Sequence, residues 1–408
     1  MRDNNIIKRS AATAGRAAVF LLLFWTPLSA GAATLRVDAN GVGDYGTIAE
    51  AVAAGTSVDT VLVAPGIYAG SGNRGIVIGS AGPKVIVSEA GASETVIDCE
   101  HQGRAFEIVT SQATIQGFTF IHGASSGRSA AGSAIYLTGC GSLIEDCVFS
   151  SNGGPNGALA EYGVECTSWN RVDGCVFLGN DANGIYAFGT LRVTDCEFTE
   201  NGEAAIRQVT DYNHRSRCEI RRCGFRGNFG AGVDAQGSCK IEDSVFVGNG
   251  DGAVVLGDQC DYDWIRNCTI VDNSSASHAA VSVPMCGVIY GGQDCGCPGI
   301  LACVIAFNDC QGAVGCTEYT EPTVRSCVIY GNTGGDDICG VCSDNFFVDP
   351  LLCDVAVGDV APCEDSPCLG ADTPDGSTIG AYCVAGCGPC GDTPVKDTSW
   401  GAVKARWR

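Results

Sequence analysis

Residues Ile220 to Asn249 read IRRCGFRGNFGAGVDAQGSCKIEDSVFVGN and hold one nine-residue phrase twice, 21 residues apart. The phrase is an aliphatic residue, two polar residues, Cys or Ser, any residue, an aromatic, two more residues and Asn. It recurs at Ile144/Cys147/Phe149/Asn152, Val172/Cys175/Phe177/Asn180 and Val193/Cys196/Phe198/Asn201. After the quoted pair it continues, with Ile for Phe, at Ile265/Cys268/Ile270/Asn273, Ile300/Cys303/Ile305/Asn308 and Val324/Cys327/Ile329/Asn332. A degenerate first copy is Ile115/Phe118/Phe120/Gly123. A repeat of this period defines a solenoid, in which each copy buries its apolar face only against its neighbours.

The shortest copies carry two apolar anchors 13 residues apart, as in Val193 and Ile206 or Ile220 and Val233. Cys and Phe, two residues apart, share one strand face, and the glycine-rich run after Asn cannot hold a helix. Short strands and sharp corners therefore predict a β-coil. Stacking the coils puts Cys over Cys, Phe over Phe and Asn over Asn, about 4.8 Å apart along a parallel ladder. A corner Asn tolerates the left-handed conformation, and its amide can both donate and accept along the stack.

This pattern resembles the right-handed parallel β-helix repeats of the pectin-lyase-like superfamily over roughly 35–332, and the Asn column resembles that family's asparagine ladder. The resemblance implies an all-β, single-stranded right-handed parallel β-helix. Its opening module, Thr34 to Tyr68, is similar to the start of many β-helix proteins: Thr47 caps a short helix with Glu50 at the third position, and Pro65-Gly66 closes a strand. The expected organisation is a signal peptide over 1–32, the β-helix over 33–349 with repeat copies from about 115 to 332, a Cys-rich C-terminal capping segment over 350–390 and a polar basic tail over 391–408.

The signal peptide is read from Lys8, Arg9 and Arg16 ahead of the apolar run Ala17 to Trp25 and the small residues Ala30-Gly31-Ala32. That run is too short to span a membrane. The expected location is therefore secreted or cell-surface. The 408-residue chain has 24 basic and 46 acidic residues, a net charge of −22, which falls to near −25 once 1–32 are removed. Such a surface makes nucleic acid a poor partner.

Seven of the 26 cysteines lie in the repeat column. In-register parallel neighbours hold their Cβ atoms slightly beyond disulfide reach, so this column is expected to remain as small buried thiols. The remaining cysteines thicken between Cys286 and Cys390 and, in an exported chain, are expected to form disulfides. Cys339-x-x-Cys342 and Cys387-x-x-Cys390 have zinc-knuckle spacing but no nearby His.

Departures from the minimal coil point to function. The connection to the next first anchor is 8 residues from Val164, Ile185 and Val233, but 14 from Ile206, 11 from Val254 and 19 from Val281. Insertions leaving from one corner stack on one flank, where repeat proteins place binding loops. That flank carries Trp169, Asp211, Tyr212, His214, Arg215, Arg217, Tyr262 and Trp264. Aromatic faces beside carboxylates and guanidinium groups suit a sugar polymer, because apolar sugar faces stack, hydroxyls pair with carboxylates and uronates pair with Arg. Asp258, Asp261 and Asp263 add hard oxygen ligands that suit calcium, the one cofactor the sequence suggests.

Enzyme families on this fold leave no signature. The Gln-Asp-Thr-Leu, Asp-Phe-Ile-Phe-Gly and Leu-Gly-Arg-Pro-Trp motifs of pectin methylesterases are missing, as are the polygalacturonase Asn-Thr-Asp and Gly-His-Gly and the pectate lyase Arg-x-Pro-x-x-Arg. The expected role is binding of extracellular or cell-surface polysaccharide through the loop flank. The enzyme alternative is a polysaccharide lyase, hydrolase or epimerase acting on an acidic glycan, with His214 as base and Arg215 or Arg217 holding a carboxylate. The structural alternative is a cell-surface adhesin or spacer.

Overall fold

The computed structural model describes residues 31–388 except 83, 110–111, 126–131, 163–165, 167, 211–215, 258–262, 284–297, 317–320, 371–376 and 383. Residues 1–30 of the expected signal peptide and the tail over 391–408 lie outside the described residues. From Thr34 the chain coils through three parallel sheets of 13, 11 and 10 strands, in register from coil to coil. The first sheet holds the aliphatic column, with Val193 opposite Ile220 and Ile220 opposite Ile241. The second holds the Phe column, with Phe198 opposite Phe225, and the third pairs Ile206 with Val233. This is the expected right-handed parallel β-helix.

The interior is built of uniform columns. Phe120, Phe149, Phe177, Phe198, Phe225 and Phe246 are fully buried, and successive ring centroids lie 4.5–5.1 Å apart. That interval is the coil spacing, so each ring rests on the next. The Asn column is continuous: each side-chain Nδ2 donates to Oδ1 of the next coil, from Asn152 through Asn332, at 2.8–3.0 Å. The left-handed residue, however, is the one before Asn, such as Glu200 (φ 53°) before Asn201 or Gly227 (φ 59°) before Asn228. Asn is therefore at this corner for its amide alone.

The Cys column does more than fill space. Cys196 Sγ donates to the Thr194 carbonyl at 3.1 Å and accepts the Cys175 amide at 3.3 Å. Ser244 substitutes in the same geometry, accepting from Cys223 N and donating to the Glu242 carbonyl, and Asn345 accepts from Cys327 N. The column is thus a second hydrogen-bonding corner, with a thiol where a hydroxyl also works. Its cysteines are free, while disulfides join Cys140 to Cys166, Cys316 to Cys339 and Cys353 to Cys387; contrary to expectation, Cys310, Cys342 and Cys368 are not bridged, because no described cysteine meets them.

The opening is as expected, with helix α1 over Ile48–Ala54 and a Thr47/Glu50 capping box. The closing segment packs on the last coils through Cys368 and Ile379 and also reaches back over earlier ones. Strand Val341–Ser343 extends the first sheet, and a hairpin of Leu352–Asp354 and Asp359–Pro362 then lies back against the outward face of the second sheet. There Val360 packs on Val245, Val247 and Val271, and Arg226 Nη1 donates to the Gly358 carbonyl at 3.1 Å. The outward positions of these strands are valines because the chain's own end covers them.

Candidate functional site

Each strand of the first sheet turns its aliphatic residue inward, so the residues on either side of it point outward. Register therefore fixes two outward columns. One runs Arg171, Arg192, Glu219, Lys240, Trp264, and the other Asp173, Thr194, Arg221, Glu242, Arg266. A chain this acidic concentrates cations here.

The columns interlock. Arg192 donates through Nε and Nη2 to Glu219 Oε2 at 2.9 and 2.7 Å, and its guanidinium lies 5.3 Å from the Trp169 ring centroid. Arg221 pairs with Glu242 at 2.5 Å, and the other Glu242 oxygen accepts Trp264 Nε1–H at 2.9 Å. Lys240 Nζ sits 4.1 Å from the Trp264 ring centroid. At the adjoining corner Arg222 makes a two-armed pair with Asp195, both arms 2.7 Å, which raises the guanidinium pKa. Burial, then neighbouring Asp195, pushes the Asp173 carboxyl above its ordinary range. The face thus presents two indoles about four coil spacings, roughly 19 Å, apart, joined by a line of paired charges. Among the described residues, Arg171, Arg217, Lys240 and Arg266 make no carboxylate pair.

Of the residues singled out from sequence, Trp169, Arg217 and Trp264 are brought to this one face. Asp211, Tyr212, His214, Arg215, Asp258, Asp261 and Tyr262 lie outside the described residues. Asp263 faces inward: it is 4% exposed, and its Oδ1 accepts from Ser238 Oγ at 2.7 Å and Cys239 N at 2.8 Å. It therefore caps a buried corner and does not belong with calcium ligands on an exposed loop.

The expected anchor at Val164 is replaced by Leu159, which pairs with Ile185, so the connection to Val172 is 13 residues rather than 8. Trp169 therefore rides on an insertion too, tied down by the Cys140–Cys166 disulfide. Sequence reasoning missed Arg192, Glu219, Lys240 and Glu242, which flank the aliphatic anchor at alternating strand positions. That alternation was the available signal.

The family described as "Right handed beta helix region" matches residues 104–275. Among solved structures, pectate lyase Pel9A is similar at 14% identity and a TM-score of 0.53, over 86% of this chain and 97% of that one. A pectin methylesterase from carrot is similar at 16% identity, TM-score 0.39, over 71% and 87% of the two chains. A mannuronic acid specific polysaccharide family 6 lyase from human gut microbiota is similar at 15%, TM-score 0.44, over 71% and 77%. No curated protein matches. The class is settled by the coils themselves: this is a right-handed parallel β-helix.

Proposed function

We propose that the protein is an exported carbohydrate-binding β-helix that holds an acidic polysaccharide along the outward face of its first sheet. The observation that carries this reading is the line Trp169, Arg192, Glu219, Lys240, Trp264, where two aromatic ends bracket paired and unpaired cations on successive coils. Indoles stack on sugar rings, and Arg217 and Lys240 meet carboxylates on the chain. The disulfides fit an oxidising compartment, and among the described residues no helix is long and apolar enough to cross a membrane.

The test is a glycan array of acidic and neutral polysaccharides, followed by a turnover assay on every chain that binds. Retention of uronate chains without cleavage is the expected result. Ultraviolet-absorbing products would move the protein to the lyase class, with Arg217 as the described member of that set. Silence on every acidic chain would leave the adhesin or spacer reading.

A further inference from the structure

The third sheet has a different outward face, which the loop flank did not anticipate. Its outward register runs Glu107, Tyr136, Ala160, Tyr186, Arg207, Asp234. Ala160 is fully buried, and Tyr162, two residues on, occupies the space above it between its neighbours. Its ring centroid is 5.6 Å from that of Tyr136, 5.8 Å from that of Tyr186 and 5.8 Å from that of Phe188. Arg104 lies 4.9 Å from the Tyr136 centroid and ends the band at one side, and the Arg207–Asp234 pair at 3.2 Å ends it at the other. All four residues are half-buried.

Comparison with the second sheet shows what such a band is suited to. Where that sheet's outward residues are valines, the chain covers them with its own C-terminal hairpin. Here the outward residues are tyrosines, which combine an apolar ring with a polar hydroxyl, so the face matches a partner that is itself part apolar and part hydroxyl. Burial, then the neighbouring Tyr186 phenol, raises the Tyr162 phenol pKa. Among the described residues, Arg207 pairs with Asp234 and Arg104 lies over the Tyr136 ring, while outward Glu107 beside Tyr136 disfavours an anionic chain.

We propose that this aromatic band is a second carbohydrate-binding surface, which takes an uncharged polysaccharide chain. It does not rest on the first-sheet site. The test is affinity electrophoresis of the intact chain through gels containing soluble β-glucan, xylan or galactomannan, with Tyr162→Ala, Tyr136→Ala and Trp264→Ala alongside. Retardation by at least one of these chains is expected, weakened about tenfold by each tyrosine replacement and unchanged by Trp264→Ala.

Tyr136 lies at the end of the band, so Tyr136→Ala decides the matter if Tyr162→Ala fails to fold. The tyrosine difference spectrum of the parent during a titration with the retarding chain needs no variant. No retardation in any of the three gels, or equal retardation of folded tyrosine variants, would overturn the proposal. Concentration-dependent dimers in sedimentation that Tyr136→Ala returns to monomers would overturn it as well, reassigning the band to a second copy of the chain.

Discussion

Asn201 donates its Nδ2 to Oδ1 of Asn228 at 2.8 Å, and that same oxygen accepts the backbone N–H of Asn201 at 3.1 Å. The second Nδ2 proton of Asn201 goes to the Phe177 carbonyl at 3.1 Å. The Asn201 amide therefore closes two main-chain groups, the Phe177 carbonyl through Nδ2 and the Asn180 N–H through Oδ1, at a corner where no strand ladder reaches. Asn201→Ala should destabilise by about 3 kcal/mol, because unmet buried groups cost about 1 to 3 kcal/mol each. Exposed Val357→Ala should stay within about 0.5 kcal/mol. Urea melts of both variants check the difference, and equal midpoints would remove the ladder from the stability account.

The Phe stack makes a parallel demand on volume. Phe225→Ala should cost about 3 to 5 kcal/mol, since rings 5.1 and 4.5 Å away on either side cannot close the cavity without breaking register. Phe225→Ile should cost less, because Ile270, Ile305 and Ile329 fill the same column two coils later and beyond. The ordering of the two variants in a thermal melt is the readout.

Thiol chemistry should divide the cysteines sharply. Burial pushes the Cys147, Cys196 and Cys303 thiols well above their ordinary range, and Cys99 to about 12. In the folded protein a maleimide at pH 8 should label exposed Cys342 and leave these four untouched. Peptide mapping after unfolding without reductant should recover the Cys140–Cys166, Cys316–Cys339 and Cys353–Cys387 pairs. A Cys196–Cys223 disulfide would contradict the hydrogen-bonded thiol column.

Acid should loosen the start of the helix first. The amides of Ala33 and Thr56 and the Thr56 hydroxyl all donate to the Asp59 carboxylate at 2.7–2.8 Å and hold its pKa below the usual value. A carboxyl depressed by folding stabilises above its unfolded pKa, and that contribution is lost as pH falls through the folded one. Amide exchange of residues Thr34–Val37 should therefore accelerate as pH drops below the ordinary aspartate range, after correction for intrinsic rates. Asp59→Asn should remove that dependence.

The fold was legible because interior columns have to repeat: a coil that changes Phe or Asn spoils the contact with both neighbours. The face was less legible because outward columns have no such obligation. Arg192, Glu219, Lys240 and Trp264 are four different residues at one register position, so no repeat search aligns them. Loop contents also misled where chain direction matters, since Asp263 belongs by sequence to an acidic loop but by register to the interior column of Cys218 and Cys239. The left-handed corner falls on the residue before Asn, where Gly, Ser, Asp, Glu and Phe all occur, so only the backbone identifies it.

The central claim, an acidic glycan on the first-sheet face, is tested most directly by affinity electrophoresis in polygalacturonate and alginate gels. The parent is compared with Trp264→Ala and Lys240→Ala after melts confirm that both fold. The account predicts retardation of the parent in at least one polyuronate, relieved by added salt, and a loss of about 1 kcal/mol or more of binding in each variant. Free passage of the parent through both gels, or variants retarded as strongly as the parent, would contradict it.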